Sequence, residues 1–303
     1  MSADVKELMS KVGKIRILTS KLVDDRLSGD YHSTFKGQGV EFDEVRPYET
    51  GDDVRSIDWN VTARTGTPYI KRYSEERELT IMFMVDVSGS QSYGSGKRTK
   101  AELSAEVTAL LALTAIRNQD KVGLVLFSDG IVKYIPPRKG RDSVMRLVRE
   151  VLAAGEDARG GTDLPGALRF LNGVQKRRAV VFLVSDFMNR GDSENLLRTT
   201  ARHHDLVCVS VADPAESELP AAGLVELEDP ETGFISLVDT SSARVRKAFA
   251  ENAAAERSAV SKFFAKNAID TMELSTDGPY IDEVRALFRR RAVRRGGRGA
   301  ANV

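Results

Sequence analysis

From Leu79 onward, short apolar runs alternate with stretches whose apolar residues recur every three or four positions. The runs lie at 79–86, 122–127, 131–135, 179–184, 206–211 and 269–274. Between them, Leu103, Val107, Leu110, Leu111 and Thr114 share a helical stripe. So do Val144, Leu147, Val148 and Val151, and then Leu196, Leu197 and Thr200. Continuously apolar strands need cover on both faces, and helices alternating with strands supply it. The pattern predicts an α/β fold with a doubly wound, mainly parallel sheet. In such sheets ligands bind beyond the carboxyl ends of the strands.

Ahead of this body, Val5, Leu8, Met9, Val12, Ile15, Leu18, Leu22 and Val23 mark one amphipathic helix, with a break expected near Gly13. Residues 30–75, punctuated by Gly37, Gly39, Pro47, Gly51, Gly66 and Pro68, read as turns and short strands. Leu224 to Val238, centred on Asp229-Pro230-Glu231-Thr232-Gly233, reads as a hairpin with a longer turn. Residues 241–267 carry Val245, Phe249, Ala253, Val260 and Phe264 on one stripe of a long helix. The expected organisation is an N-terminal helix over 1–28 and a small β-rich subdomain over 29–78. The α/β domain follows over 79–291, with the hairpin and long helix inserted near 222–267 and a last helix from about Ile281 to Arg291. A disordered basic tail is expected over 292–303.

Composition narrows the function classes. The formal net charge of +1 gives no reason to expect nucleic acid or acidic membranes as partners. Cys208 is the only cysteine, inside the apolar run 206–211, so a disulfide framework is excluded and a buried, inert thiol in a reducing compartment is expected. No apolar stretch approaches the ~20 residues that span a bilayer. Met1 to Val12 lacks the apolar segment of a signal peptide, so a cytoplasmic location is expected. His203 and His204 have no cysteine or histidine set to complete a zinc site and read as surface residues. There is no P-loop and no nucleophile elbow. The six arginines between Arg289 and Arg298 read as a solvated basic end.

The candidate chemistry sits after the first strand of the α/β body. Asp86-Val87-Ser88-Gly89-Ser90 places a carboxylate and two hydroxyls at alternate positions on the loop leaving a buried strand. Such a cluster of hard oxygen donors suits Mg²⁺ or Mn²⁺, and Gly89 lets the loop turn tightly. Two further segments extend it. Thr162, in Gly160-Gly161-Thr162-Asp163, precedes a short helix, and Asp186 closes the strand 179–184. The bland alternative is that Asp86, Ser88 and Thr162 only cap helices. Asp163 and Asp129 read as a helix cap and a hairpin turn.

These three pieces, in this order, resemble the von Willebrand factor A domain and its metal-ion-dependent adhesion site. The resemblance implies that Ser88, Ser90 and Thr162 ligate the ion directly, and that Asp86 and Asp186 act mainly through waters and hydrogen bonds. It also implies an open coordination position for an Asp or Glu of a partner. A second resemblance covers nearly the whole chain. Residues 39–48 (Gly39-Val40-Glu41-Phe42-Asp43-Glu44-Val45-Arg46-Pro47-Tyr48), Gly51 to Asn60, Tyr73 to Glu78, Tyr134 to Gly140 and Leu224 to Asp229 are similar to the bacterial domain-of-unknown-function family fifty-eight (DUF58). That family is usually encoded beside MoxR-type AAA+ ATPases and is thought to act with them in a chaperone-like or maturation role.

The charges of residues 39–60 are too dense to be buried unpaired, so Arg46 and Arg55 are expected to pair with nearby acids. Trp59, the sole tryptophan, is expected to pack the β subdomain on the main sheet, with a hot spot for a partner as the lesser reading. The sequence thus reads as a non-catalytic module using Mg²⁺, Mn²⁺ or Ca²⁺ at Asp86, Ser88, Ser90, Thr162 and Asp186. Its expected partners are a MoxR-type ATPase and a client protein. Two alternatives stay open: a Mg²⁺-dependent phosphohydrolase with a nucleophilic aspartate, and a scaffold with a vacant site. The phosphohydrolase needs a second acid where Ser88 stands and a well-placed lysine.

Overall fold

The computed structural model describes residues 3–23, 25–35, 40–75, 78–156, 160–188, 192–229 and 231–299. It comprises two units, one of residues 1–34 with 80–303 and one of Phe35–Leu79. The chain starts with helices α1 (Ala3–Leu22) and α2 (Asp25–Thr34). Helix α1 runs straight through Gly13, so the expected break falls after Leu22 instead. Arg117 donates to the Val23 carbonyl there (2.8 Å), satisfying an acceptor that the helix end leaves open. Helix α2 extends past the expected boundary at residue 28 and belongs to the larger unit. Its Tyr31 hydroxyl donates to Asp120 (2.7 Å), and its Thr34 hydroxyl donates to the Phe288 carbonyl (3.1 Å).

The smaller unit holds an antiparallel pair, β1 (Val40–Pro47) and β2 (Tyr69–Glu75), and helix α3 (Trp59–Thr65). Asp58 caps α3, accepting from the N–H groups of Asn60 and Val61 at 2.9 and 3.3 Å, and Gly66 ends it at φ +75°. Arg46 pairs with Asp52 at 2.7 Å, as expected. Arg55 engages Asp53 through its backbone N–H rather than its guanidinium (2.9 Å). Trp59 is 68% exposed at the start of α3. The side chains of Glu41 and Asp43 and of residues 72–77 lie outside the described ones.

The larger unit then follows the alternating pattern: β3 (Thr80–Asp86), α4 (Lys100–Arg117), β4 (Lys121–Phe127), β5 (Ile131–Arg138), α5 (Arg141–Glu156), α6 (Leu164–Val174), β6 (Val180–Ser185), α7 (Glu194–His203) and β7 (Asp205–Ala212). A hairpin, β8 (Leu224–Glu228) and β9 (Ile235–Asp239), leads to α8 (Ala243–Lys266), β10 (Asp270–Ser275) and α9 (Tyr280–Gly299). The sheet order is β10-β7-β6-β3-β4-β5, parallel throughout except for the antiparallel edge strand β5. This is the expected α/β, doubly wound, mainly parallel fold.

Strands β3 and β6 sit at its centre because their apolar runs are continuous, and Thr80 is the one residue of the pair that is not buried. Phe83 faces Phe182 across the pair with ring centroids 5.5 Å apart. On one sheet face, Met82, Met84, Val125, Phe127, Leu183 and Cys208 pack with Leu164, Leu168, Leu197 and Phe264 of α6, α7 and α8. Each such buried side chain contributes about 1.5–3 kcal/mol. Cys208 is free and fully buried as expected, and burial pushes its thiol well up. Helix α4 contacts β3 and β4 as well as α1, α2 and α5, which is why it is apolar almost all round.

Two surface expectations are overturned. The basic end is not a tail from residue 292, since α9 continues to Gly299. Arg291 is buried there, pairing with Asp205 at 2.5 Å and Asp270 at 3.4 Å, and Arg290 donates to the Thr271 carbonyl (2.9 Å). Residues 300–303 lie outside the described ones. His204 is fully buried between α7 and β7, while His203 stays exposed.

The Nδ1 atom of His204 accepts the Ala179 N–H at 3.3 Å, a bond that requires a neutral ring. Burial, with the charges of His203 and Arg178, holds its pKa down to about 4. A lowered histidine pKa gives stability that is complete above the unfolded value near 6.5 and is lost as pH falls toward 4. The expected loss between pH 7.5 and 5 is on the order of 2 kcal/mol. Chemical denaturation of His204→Asn, which keeps an acceptor but cannot titrate, should show a smaller change over that interval. An equal change in both proteins would refute the assignment.

Candidate functional site

The sheet reverses its winding between β3 and β6, and both strands end there in carboxylates. Asp86 is the last residue of β3, and Asp186 directly follows β6. This is the switch point at which open α/β sheets place ligands. Asp86 is buried with both oxygens engaged. Its Oδ1 accepts the Ser88 N–H (3.0 Å), folding the loop back, and its Oδ2 accepts the Ser185 hydroxyl (2.7 Å), tying β3 to β6. Ser88 begins a short 3₁₀ turn over Gly89–Ser92 but makes no side-chain cap bond, so the capping alternative does not describe it. Its hydroxyl lies 3.3 Å from that of Ser90. Ser90 in turn donates to Asp186 Oδ2 at 2.9 Å. Asp86, Ser88, Ser90 and Asp186 are therefore one hydrogen-bonded group.

Asp186 is aimed by its neighbour. Phe187 has φ +56°, a left-handed conformation unusual for an aromatic residue. Burial of its ring edge-on to Phe264 (5.1 Å) holds it there, together with the bond from its N–H to Ser185 Oγ (3.2 Å). Strain of this kind is maintained only where the surroundings over-determine it.

Thr162 is positioned differently. The Gly89 N–H donates to the Gly160 carbonyl (3.0 Å), so the loop bearing Thr162 is joined to the loop bearing Ser88 and Ser90. The Thr162 hydroxyl, however, donates to Glu231 in the β8–β9 turn (3.0 Å). Thr162 does not cap α6. Asp163 does, accepting from Gly166 N–H at 2.8 Å, and Asp129 lies in the β4–β5 turn as expected.

Sequence reasoning missed Lys100. It is fully buried at the first turn of α4, and its ammonium meets Asp186 Oδ2 (2.8 Å) and Glu216. Burial pulls its pKa down, but the Asp186 and Glu216 charges outweigh this and leave it raised. Gln91 completes the group, donating to Asp186 Oδ2 (3.2 Å), while its buried Oε1 has no partner. The one available signal for Lys100 was the Thr99–Glu102 capping box, which fixes it as the first residue of a buried helix.

The donors are hard oxygens of the kind a divalent cation takes, but among the described residues no three His, Cys, Asp or Glu side chains converge to hold an ion by themselves, so hydroxyls would have to share the work. The hydroxyl protons of Ser90 and Thr162 are spent on carboxylates, which leaves their oxygen lone pairs to offer. One buried ammonium stands against three carboxylates, Asp86, Asp186 and Glu216, so negative charge is in excess. The Asp86 carboxyl registers that excess: burial first, then Asp186, push its pKa up to about 6.

A raised carboxyl pKa makes the ionised folded state costly. The cost is absent below the unfolded value near 4 and complete above about 6. Asp86→Asn should therefore raise the unfolding free energy of the metal-free protein at pH 7.5 by on the order of 2 kcal/mol, the gain vanishing toward pH 4. Denaturant midpoints across that range test it. A variant less stable at pH 7.5 contradicts the charge-excess account.

The chain matches the family described as Protein of unknown function DUF58 over residues 44–259. The uncharacterized protein Rv1480 of Mycobacterium tuberculosis is 30% identical over 292 residues, covering 95% of this chain and 91% of that protein. The uncharacterized protein MAV169 of Mycobacterium avium is 33% identical over 153 residues, 50% of this chain and 89% of that protein. Among solved structures, the conserved hypothetical protein BatB of Bacteroides thetaiotaomicron aligns at 14% identity with a TM-score of 0.48, over 71% of this chain and 98% of that one. The VWA domain of SpRpn10 aligns at 9% identity with a TM-score of 0.39, over 68% and 93%. With that family model matching well over half of its length, the chain belongs to the DUF58 family.

Proposed function

We propose that this protein is a non-catalytic, metal-dependent protein-binding module that acts with a MoxR-type AAA+ ATPase in protein maturation or complex assembly in the cytoplasm. The observation that carries this reading is the joining of two strand ends at the switch point, Ser90 Oγ to Asp186 Oδ2 at 2.9 Å. Ser88, Ser90 and Thr162 would hold Mg²⁺, or else Mn²⁺ or Ca²⁺, with Asp86 and Asp186 acting through waters and hydrogen bonds. The bound ion supplies a positive centre that accepts a carboxylate from outside. The chain's own residues prepare that centre. Asp86 orients the Ser88 backbone and the Ser185 hydroxyl, and Lys100 offsets part of the charge on Asp186.

The resemblance of Asp86, Ser88, Ser90, Thr162 and Asp186 to a von Willebrand A adhesion site supports an interaction role, and the resemblance to the DUF58 family supports the ATPase as partner. No helix among the described residues is long and apolar enough to cross a membrane. Two features favour binding over phosphoryl hydrolysis. Ser88 occupies the position where that chemistry needs an acid, and the Lys100 ammonium is already paired with Asp186 and Glu216.

Capture of this protein on an immobilised, nucleotide-free MoxR-type ATPase of the same organism, with Mg²⁺ or excess chelator, tests the reading. Capture should require the metal. It should weaken at least tenfold in Asp86→Ala and Ser90→Ala at unchanged circular dichroism. Undiminished capture in chelator would overturn metal dependence. Hydrolysis of a generic phosphate ester that disappears in Asp86→Ala would make the protein an enzyme.

A further inference from the structure

The β8–β9 hairpin brings a fourth acidic side chain, after Asp86, Asp186 and Glu216, to the rim of the site. Glu231 is 69 residues from Thr162 in the chain, yet its Oε1 accepts the Thr162 hydroxyl at 3.0 Å. Its Oε2 lies 3.7 Å from the point where a side chain at Gly161 would begin, so the carboxylate rests against the Gly160–Thr162 loop. The turn is built to hold it there. Asp229 accepts the Glu231 N–H (2.9 Å) and the Thr232 hydroxyl (2.7 Å). The Asp229 carbonyl accepts the Gly233 N–H (2.7 Å), and Gly233 closes the turn at φ +70°.

The hairpin behind this turn is lightly held. No residue of β8 or β9 is buried, and Leu224, Ile235 and Leu237 are mostly exposed. Moving it would sacrifice little apolar contact, at about 25 cal/mol per Å² uncovered. A firm turn on a loosely seated hairpin is suited to present one side chain and to withdraw it.

We propose that Glu231 is itself a ligand of the metal centre, a carboxylate supplied by the same chain at the position a partner's Asp or Glu would take. This rests on the metal-dependent reading above. A hard cation prefers an anionic oxygen to water, and Glu231 already touches a hydroxyl of the ligand set. A partner carboxylate therefore enters by displacing Glu231, and the hairpin swings away with it.

Mn²⁺ binding to the metal-stripped full chain tests this without any partner. Free Mn²⁺ is counted by electron paramagnetic resonance, and water on the bound ion by proton relaxation enhancement. Glu231→Gln keeps the shape of the turn residue and removes its charge. It should bind Mn²⁺ about tenfold more weakly and gain about one exchangeable water on the ion. Acetate should tighten Mn²⁺ binding in Glu231→Gln and leave the unaltered protein nearly unchanged, and Glu231→Asp should restore part of the affinity. If Glu231→Gln matches the unaltered protein in affinity and relaxation while Ser90→Ala loses Mn²⁺, the proposal falls and the metal reading stands. If the unaltered protein binds no Mn²⁺, both fall.

Discussion

A fully buried ammonium at the start of α4 is what allows acidic groups to gather at the end of an apolar sheet. Lys100 reaches Asp186 on the loop after β6 and Glu216 after β7, so one charge spans three elements. An unpaired ion at that depth would cost several kcal/mol, and removing one partner from a buried pair typically costs 3–5 kcal/mol. The Thr99–Glu102 capping box sets the first turn of α4, and Asp213 with Glu216 forms a second box over the short turn after β7. Both ends of the ion network are thus held by local backbone chemistry as well as by the ion pairs themselves.

The same logic explains the strained residue. Asp186 must turn back toward Ser90 and Lys100 rather than continue along the strand. The left-handed Phe187 makes that turn, and the edge-to-face contact with Phe264 of α8 compensates for it. A change in how α8 lies on the sheet would therefore be felt at Asp186. The groove between α8 and the ends of β7 and β10, lined by Asp186, Glu216, Arg257 and Phe264 among others, encloses about 310 Å³ on that same path. Packing, strain and charge converge on one carboxylate.

Periodicity made the sheet legible because an apolar run of this length can be satisfied in few ways. The same physics made Asp86, Ser88 and Ser90 conspicuous, since polar atoms at the mouth of such a strand need a reason. What periodicity cannot carry is pairing across long separations. Nothing in the sequence around Lys100 beyond the Thr99–Glu102 capping box marks it, and only the folded sheet brings it to residues 86 and 116 positions away. Arg291 looked like part of a basic tail for the same reason, its acids lying on β7 and β10. His204 misleads because a polar ring can be buried when one backbone N–H answers it. Sequence also marked the β8–β9 turn as a turn, yet nothing local links Glu231 to Thr162.

An excess of buried negative charge is not the most stable solution this chain had available. Asp86 accepts two good hydrogen bonds and still has its pKa pushed up to about 6, so those bonds do not offset its burial beside Asp186. A protein selected for rigidity alone would place an amide or an apolar residue at the end of β3, as it does along the rest of that strand. Real chains depart from local rules chiefly where function requires it. The departure here gathers at the end of β3, the start of α4, the strained step after β6 and the hydroxyls between them. The bonds that Ser88 and Ser185 give Asp86, and that Ser90, Gln91 and Lys100 give Asp186, are what hold the two carboxylates side by side against their repulsion.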